Sequence, residues 1–125
     1  MLGNKQAIAT VAVKDLTAAR RFYEGTLGLE VVHTEGEEAI SFRTGGTQLI
    51  VYRSAFAGSN QATAVNWPVG AELDAIVRAL GGKGVVFEHY DLPGLTREGD
   101  VHVAGPMKVA WFKDPDGNIH SLVDR

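Results

Sequence analysis

One order of elements occurs twice along this chain, and that recurrence limits the possible folds more than any single motif. In the first half, residues 8–13 form a short apolar run with a β-branched bias. Residues 17–27 follow as an amphipathic helix, with Leu16, Ala19, Phe22, Tyr23 and Leu27 on one face. Asp15 or Thr17 can cap its start and Gly28 stops it. Three strand-like runs come next, at 29–35, 39–43 and 48–53, divided by turns at Gly36 and at Gly45-Gly46. The second half repeats this order. Residues 64–69 read as a strand, and Leu73, Ile76, Val77 and Leu80 mark a helix ended by Gly81-Gly82. Strands at 85–90, 108–112 and Ile119–Val123 complete it.

An offset of 56 places Ile8 on Ala64, Val13 on Val69 and Gly28 on Gly84. Self-similarity at a long fixed spacing marks a duplicated unit. The expected fold is α+β, made of tandem βαβββ modules. The first spans about 6–53 and the second about 64–125, within a single domain covering 1–125. Small polar residues at 54–63 form the linker, and the second module carries an extra loop at 92–105. Near the end, Asp114-Pro115-Asp116-Gly117-Asn118 sits between two apolar runs. Proline presets φ, glycine accepts a positive φ, and Asp and Asn side chains bond to local amides. The segment reads as a tight hairpin joining two buried strands, with Asp114 and Asp116 structural rather than catalytic.

Composition removes whole classes of function. The 125 residues include no cysteine, so there is no disulfide framework, thiolate zinc site or cysteine nucleophile. A formal charge of −3 lacks the clustered basic face that binding phosphates requires, so nucleic acid is not expected as a partner. Arg20-Arg21, the one basic doublet, reads as a solvated helix face. No long apolar run points to a membrane, and the first residues lack the apolar centre of a signal peptide, so the cytoplasm is the expected location. Ser54 and Ser59 have no adjacent His-Asp arrangement, and the glycine pairs build no phosphate-cradling loop.

Val13-Lys14-Asp15-Leu16 ahead of Arg21-Phe22-Tyr23, Leu27-Gly28-Leu29, and the Asp114–Asn118 turn carry a family likeness. Together with the tandem modules, they resemble the glyoxalase/bleomycin-resistance/dioxygenase superfamily, also called vicinal oxygen chelate. The resemblance implies curled mixed sheets that face each other, often from two chains, around a cavity. It also implies that metal-dependent members place one side chain from the first and last strand of each module into that cavity, mostly His and Glu. In this sequence those positions map to Ile8, Ile50, Ala64 and Ser121. Three cannot bind a metal, and a neutral serine hydroxyl is a poor ligand alone. No metal and no cofactor are therefore expected. His33, His89, His102 and His120 have no compact ligand spacing. A site built on His89 and His102 lacks support, and strand alternation points His120 away from the cavity.

If the mapped positions face inward, period-two alternation supplies their neighbours. Thr10, Gln48, Ile50 and Tyr52 then line the cavity from the first module, and Asn66, Trp111, Ile119 and Ser121 from the second. Such a lining suits a small, partly aromatic ligand held by stacking and one or two directional bonds. Trp67 points the other way by parity and, with Phe22 and Tyr23, belongs to the core. The extra loop suits a lid or a surface excursion, and the acidic run at 35–38 a solvated hairpin tip. The function expected is metal-independent small-molecule binding by a homodimer, with sequestration of a drug or metabolite. The alternative is a lyase, isomerase or dioxygenase with a non-standard metal site. A third reading is an interaction domain whose cavity is filled by its own side chains.

Overall fold

A computed structural model describes all residues, 1–125, and divides the chain into two compact units, Met1–Ser59 and Asn60–Arg125. In the first unit, β1 (Ala9–Val13) leads into α1 (Leu16–Arg20). The Asp15 carboxylate accepts the Thr17 and Ala18 amides at 2.9 and 3.2 Å, which fixes the start. The helix does not stay α as far as 27. From Arg21 to Thr26 it widens into a π turn, where Gly25 and β-branched Thr26 are weak α formers. It closes on Gly28 at φ 76°, with the Leu29 amide bonding the Tyr23 carbonyl.

Strands β2 (Glu30–Glu35), β3 (Ala39–Thr44) and β4 (Thr47–Arg53) complete a sheet ordered β1-β4-β3-β2. β1 runs parallel to β4, and the other neighbours are antiparallel. Alternation then divides the residues cleanly. Val11, Val13, Ile40, Phe42, Leu49 and Val51 are buried with Ala19 and Tyr23 of the helix, and Tyr23 meets Phe42 at 5.8 Å between ring centres. The opposite face carries Thr10, Ala12, Ala39, Ser41, Gln48, Ile50 and Tyr52. The 35–38 run is a solvated hairpin tip, anchored where Glu38 pairs with Arg53 at 2.6 Å.

The second unit begins with β5 (Thr63–Pro68), a short 3₁₀ turn at Gly70–Glu72, and α2 (Leu73–Gly82). α2 buries Leu73, Val77 and Leu80, one helical stripe. Gly84, at φ 93°, repeats the role of Gly28, so the 56-residue offset holds to the end of the helix. Beyond it the offset fails. The strand anticipated at 85–90 is only β6 (Phe87–Glu88), and the anticipated loop contains a hairpin, β7 (Thr96–Glu98) and β8 (Val101–Ala104).

The pairing explains this departure. On one edge of β9 (Met107–Lys113), β6 pairs Glu88 with Trp111, and β8 pairs His102 with Val109. Both run in the same sense, so β6 and β8 occupy the lane that β2 occupies in the first unit. Twelve residues, 89–100, leave the lane and return to it. The rest of the sheet is β5-β10-β9-β8-β7, where β10 (Ile119–Val123) is parallel to β5. The β9–β10 turn is the tight one read from the sequence. Asp114 is buried and accepts the Asp116 amide, the Asn118 amide and the Asn118 side chain at 2.7–2.9 Å, and Gly117 sits at φ 90°. No helix is long and apolar enough to cross a membrane.

Candidate functional site

Each unit presents a sheet face bearing half of the anticipated lining. In the first, the ladder sets Thr10 beside Ile50 and Ile50 beside Ser41, with Gln48 and Tyr52 one step either way. These residues do share a face. It is open: Thr10 and Gln48 are exposed, Ile50 is half-buried and Tyr52 is 39% exposed. Ile8 precedes β1 and is 44% exposed.

In the second, Asn66, Ser121, Trp111 and Glu88 lie opposite one another in sequence across β5, β10, β9 and β6. The Ser121 hydroxyl donates to Asn66 Oδ1 at 2.7 Å. That bond holds the serine rotor and leaves the Asn66 amide hydrogens directed elsewhere. Val123, Val109 and His102 form the adjoining row of the same face. A bulge between Ile119 and His120 sets Ile119 opposite Thr63 and His120 opposite Val65, so Ala64 falls at the irregularity. Unlike its counterpart, this face is covered in part: Ser121 is 6% exposed and His102 is completely buried, while Trp111 is half-buried and Asn66 exposed.

Over Trp111 and His102 the covering comes from the excursion. Its first residue, His89, bonds its last, Asp100, through Nε2 at 2.7 Å. Arg97 donates to His89 Nδ1 at 3.0 Å and to the Gly99 carbonyl at 3.1 Å. The same Arg97 nitrogen lies 3.3 Å from His89 Nε2. The Tyr90 ring packs edge-on to Trp111 at 5.1 Å and lies 6.1 Å from His102, while Trp111 and His102 are 4.8 Å apart. Burial, followed by the charge of nearby Glu88, pushes the Tyr90 hydroxyl upward.

His102 and His120 are both fully buried, and both rings accept a hydrogen bond. His102 Nε2 accepts the Tyr90 amide at 2.9 Å, so its hydrogen sits on Nδ1. That Nδ1 has no hydrogen-bond partner. The backbone of Val109, its ladder partner, acts on the ring without reaching hydrogen-bond geometry. Burial holds the His102 pKa below its ordinary value, helped by the adjacent His89 and Arg97. Sequence reasoning had no means of seeing this residue as part of the face. Its pairing with Val109 depends on where the excursion ends.

His120 lies on the opposite face, as alternation required. It stacks on Phe112 at 4.8 Å and nearly parallel to Trp67 at 6.1 Å, and accepts the Trp67 indole N–H at 2.9 Å. Burial lowers its pKa from 6.5 to about 4, against a small opposing pull from Asp114. Trp67 is thus half-buried on the core side, away from Asn66 and Ser121.

The donor chemistry at the four mapped positions does not suit a metal. Ile8, Ile50 and Ala64 offer no donor atom and Ser121 offers only a hydroxyl. Nowhere do three His, Asp or Glu side chains converge as a metal site requires. A concavity of about 810 Å³ lies elsewhere in the first unit, between α1 and the β2–β3 hairpin, lined by Arg20, Arg21, Glu37 and Arg53 among others.

A sequence model of the Glyoxalase/Bleomycin resistance protein/Dioxygenase superfamily matches residues 5–121. The chain belongs to that superfamily. Solved structures carry the same fold at low identity. An integron cassette protein from the mobile metagenome of the Halifax Harbour sewage outfall is 18% identical, with a TM-score of 0.73 over 98% of this chain and 99% of that one. Lactoylglutathione lyase from Agrobacterium tumefaciens is 18% identical, with a TM-score of 0.70 over 98% and 95%. The fosfomycin resistance protein FosX from Mesorhizobium loti is 15% identical, with a TM-score of 0.70 over 100% and 94%. One fold thus carries a lyase and a resistance protein, so the fold alone does not assign an activity.

Proposed function

We propose that this superfamily member is a metal-independent small-molecule-binding protein that sequesters a drug or metabolite. It works as a cytoplasmic homodimer, and the two modules of each chain act as one domain. The support for the reading is the donor set: isoleucine, isoleucine, alanine and serine occupy the four positions that the superfamily resemblance maps to metal ligands. Binding by sequestration needs burial and a few directional groups, not a reactive centre. Trp111 supplies a stacking surface, and Ser121 with Asn66 supplies a fixed polar pair. Thr10, Gln48, Ile50, Tyr52 and Ile119 extend the lining.

An enzyme with a non-standard metal site would need histidine lone pairs that are already taken. The Trp67 indole occupies His120 Nδ1, the Tyr90 amide occupies His102 Nε2, and Arg97 and Asp100 flank His89. Elemental analysis of purified protein tests the choice, and less than one tenth of an equivalent of Fe, Mn, Ni, Zn or Co is expected. EDTA is expected to leave the melting temperature unchanged. A stoichiometric metal, or a marked drop in melting temperature on chelation, would overturn the reading in favour of the enzyme.

A further inference from the structure

The one buried side-chain polar atom without a partner lies beside the proposed stacking residue. His102 Nδ1 is out of contact with water and meets no acceptor at hydrogen-bond geometry, although the Val109 backbone acts on the ring. Its state is fixed by chemistry rather than by choice of tautomer. A backbone amide can only donate, so the Tyr90 N–H on Nε2 obliges neutral His102 to carry its hydrogen on Nδ1. A buried donor without an acceptor is costly, and native proteins retain few of them. The imidazole belongs to the same sheet face as Trp111 and Ser121, one row along, and its centre is 4.8 Å from the Trp111 ring. A flat molecule against Trp111 therefore lies within a ring's width of this donor. The half-buried Tyr90 ring, 5.1 Å from Trp111, fills that place at present.

Resting on the small-molecule reading above, we propose that His102 is a specificity-determining residue. It donates its Nδ1 hydrogen to a carbonyl or carboxylate oxygen carried by an aromatic ligand, which stacks on Trp111 in the space vacated by the Tyr90 ring. The Tyr90 amide stays on Nε2 throughout and keeps the donor directed. Ligands that present only donors at this point, or no polar atom, leave the cost of the unpaired hydrogen in place. The site therefore selects for an acceptor oxygen next to an aromatic ring, whichever of the two oxygen types bears it.

Acetophenone, benzoate and ethylbenzene test this, because the first two carry the oxygen and the third matches acetophenone in shape without it. Binding is read by NMR from the Trp111 indole and the His102 ring nitrogens. His102→Gln keeps an acceptor near the Tyr90 amide and loses the Nδ1 donor, whereas His102→Asn keeps a donor near the Nδ1 position. Acetophenone and benzoate are expected to weaken about tenfold or more in H102Q, consistent with one lost directional bond. Ethylbenzene is expected to change little in H102Q, which also shows that the variant is folded. H102N is expected to hold acetophenone within about threefold of the wild type. Equal loss of all three probes in H102Q, or no loss of the oxygen-bearing pair, overturns the His102 assignment while leaving small-molecule binding intact. If no probe perturbs Trp111 in the wild type, the assignment and the binding reading fall together.

Discussion

The two modules share an order of strands and a helix ended by a left-handed glycine, yet they treat equivalent sheet faces in opposite ways. In the first, β2 is a single strand, mostly exposed and bulged between Val31 and His33, and the face of Thr10, Ile50 and Tyr52 stays open. In the second, the same lane is broken by twelve residues that carry Tyr90 and His89 onto the face of Trp111, Ser121 and His102. The difference teaches that a duplicated scaffold need not give duplicated sites. A twelve-residue departure at one strand position converts a solvated surface into a covered aromatic cluster with an unpaired donor. The buried polar side chains, His102, Asp114, Asn118, His120 and Ser121, all belong to the second module.

The largest test of that comparison concerns the cores beneath the faces. Phe112 loses two ring neighbours on truncation, Phe87 and His120, whereas Phe42 has Tyr23. Phe112→Ala and Phe42→Ala are each expected to cost about 3–5 kcal/mol in urea unfolding, with Phe112 at the upper end. Equal or reversed costs would show that the histidine-containing stack adds nothing to ordinary packing.

Acidification comes next, because only the second module buries neutral imidazoles. His120 is held near 4 when folded and titrates near 6.5 when unfolded. Between those values the unfolded chain binds the proton and the folded chain does not, so stability falls as pH drops from about 6.5 to about 4. The full loss for this residue is roughly 3 kcal/mol. His102, shifted in the same direction, steepens the fall. Denaturant midpoints measured across pH 4–7 check this, and His120→Phe should flatten the profile. An unchanged profile in that variant would assign the acid sensitivity to other groups.

The smallest effect is at the neck of the excursion. Asp100→Ala removes an exposed pair with His89, so global stability should change by less than about 1 kcal/mol. Amide exchange of residues 89–100 should nonetheless quicken while β2 is unaffected. Exchange that stays at the wild-type rate would show that the aromatic contacts alone hold the excursion down.

Much of this was readable from residues in order. The tandem modules follow from periodicities of two and 3.6, and the glycine stops from their tolerance of positive φ. The hairpin at Asp114–Asn118 follows from side chains that bond their own backbone. All of these are local properties. The extent of β6, the hairpin inside the anticipated loop, and the π turn at Arg21–Thr26 were not readable. Each is settled by which long-range ladder wins, and short apolar runs do not encode that choice. Thr10, Gln48, Ile50 and Tyr52 share one face and Asn66, Ser121 and Trp111 another, because alternation within a strand is a sequence property. His102 did not come within reach of that reasoning.

The sequence by itself determined the superfamily and the duplicated architecture, since those depend on residue type, spacing and local turn chemistry. Only the tertiary structure decided which sheet face is covered and which imidazole is left with an unpaired hydrogen. Those depend on register: Glu88 on Trp111, then His102 on Val109, with the intervening residues folded back across the face. Register is a relation between strands distant in sequence, and no window along the chain contains it.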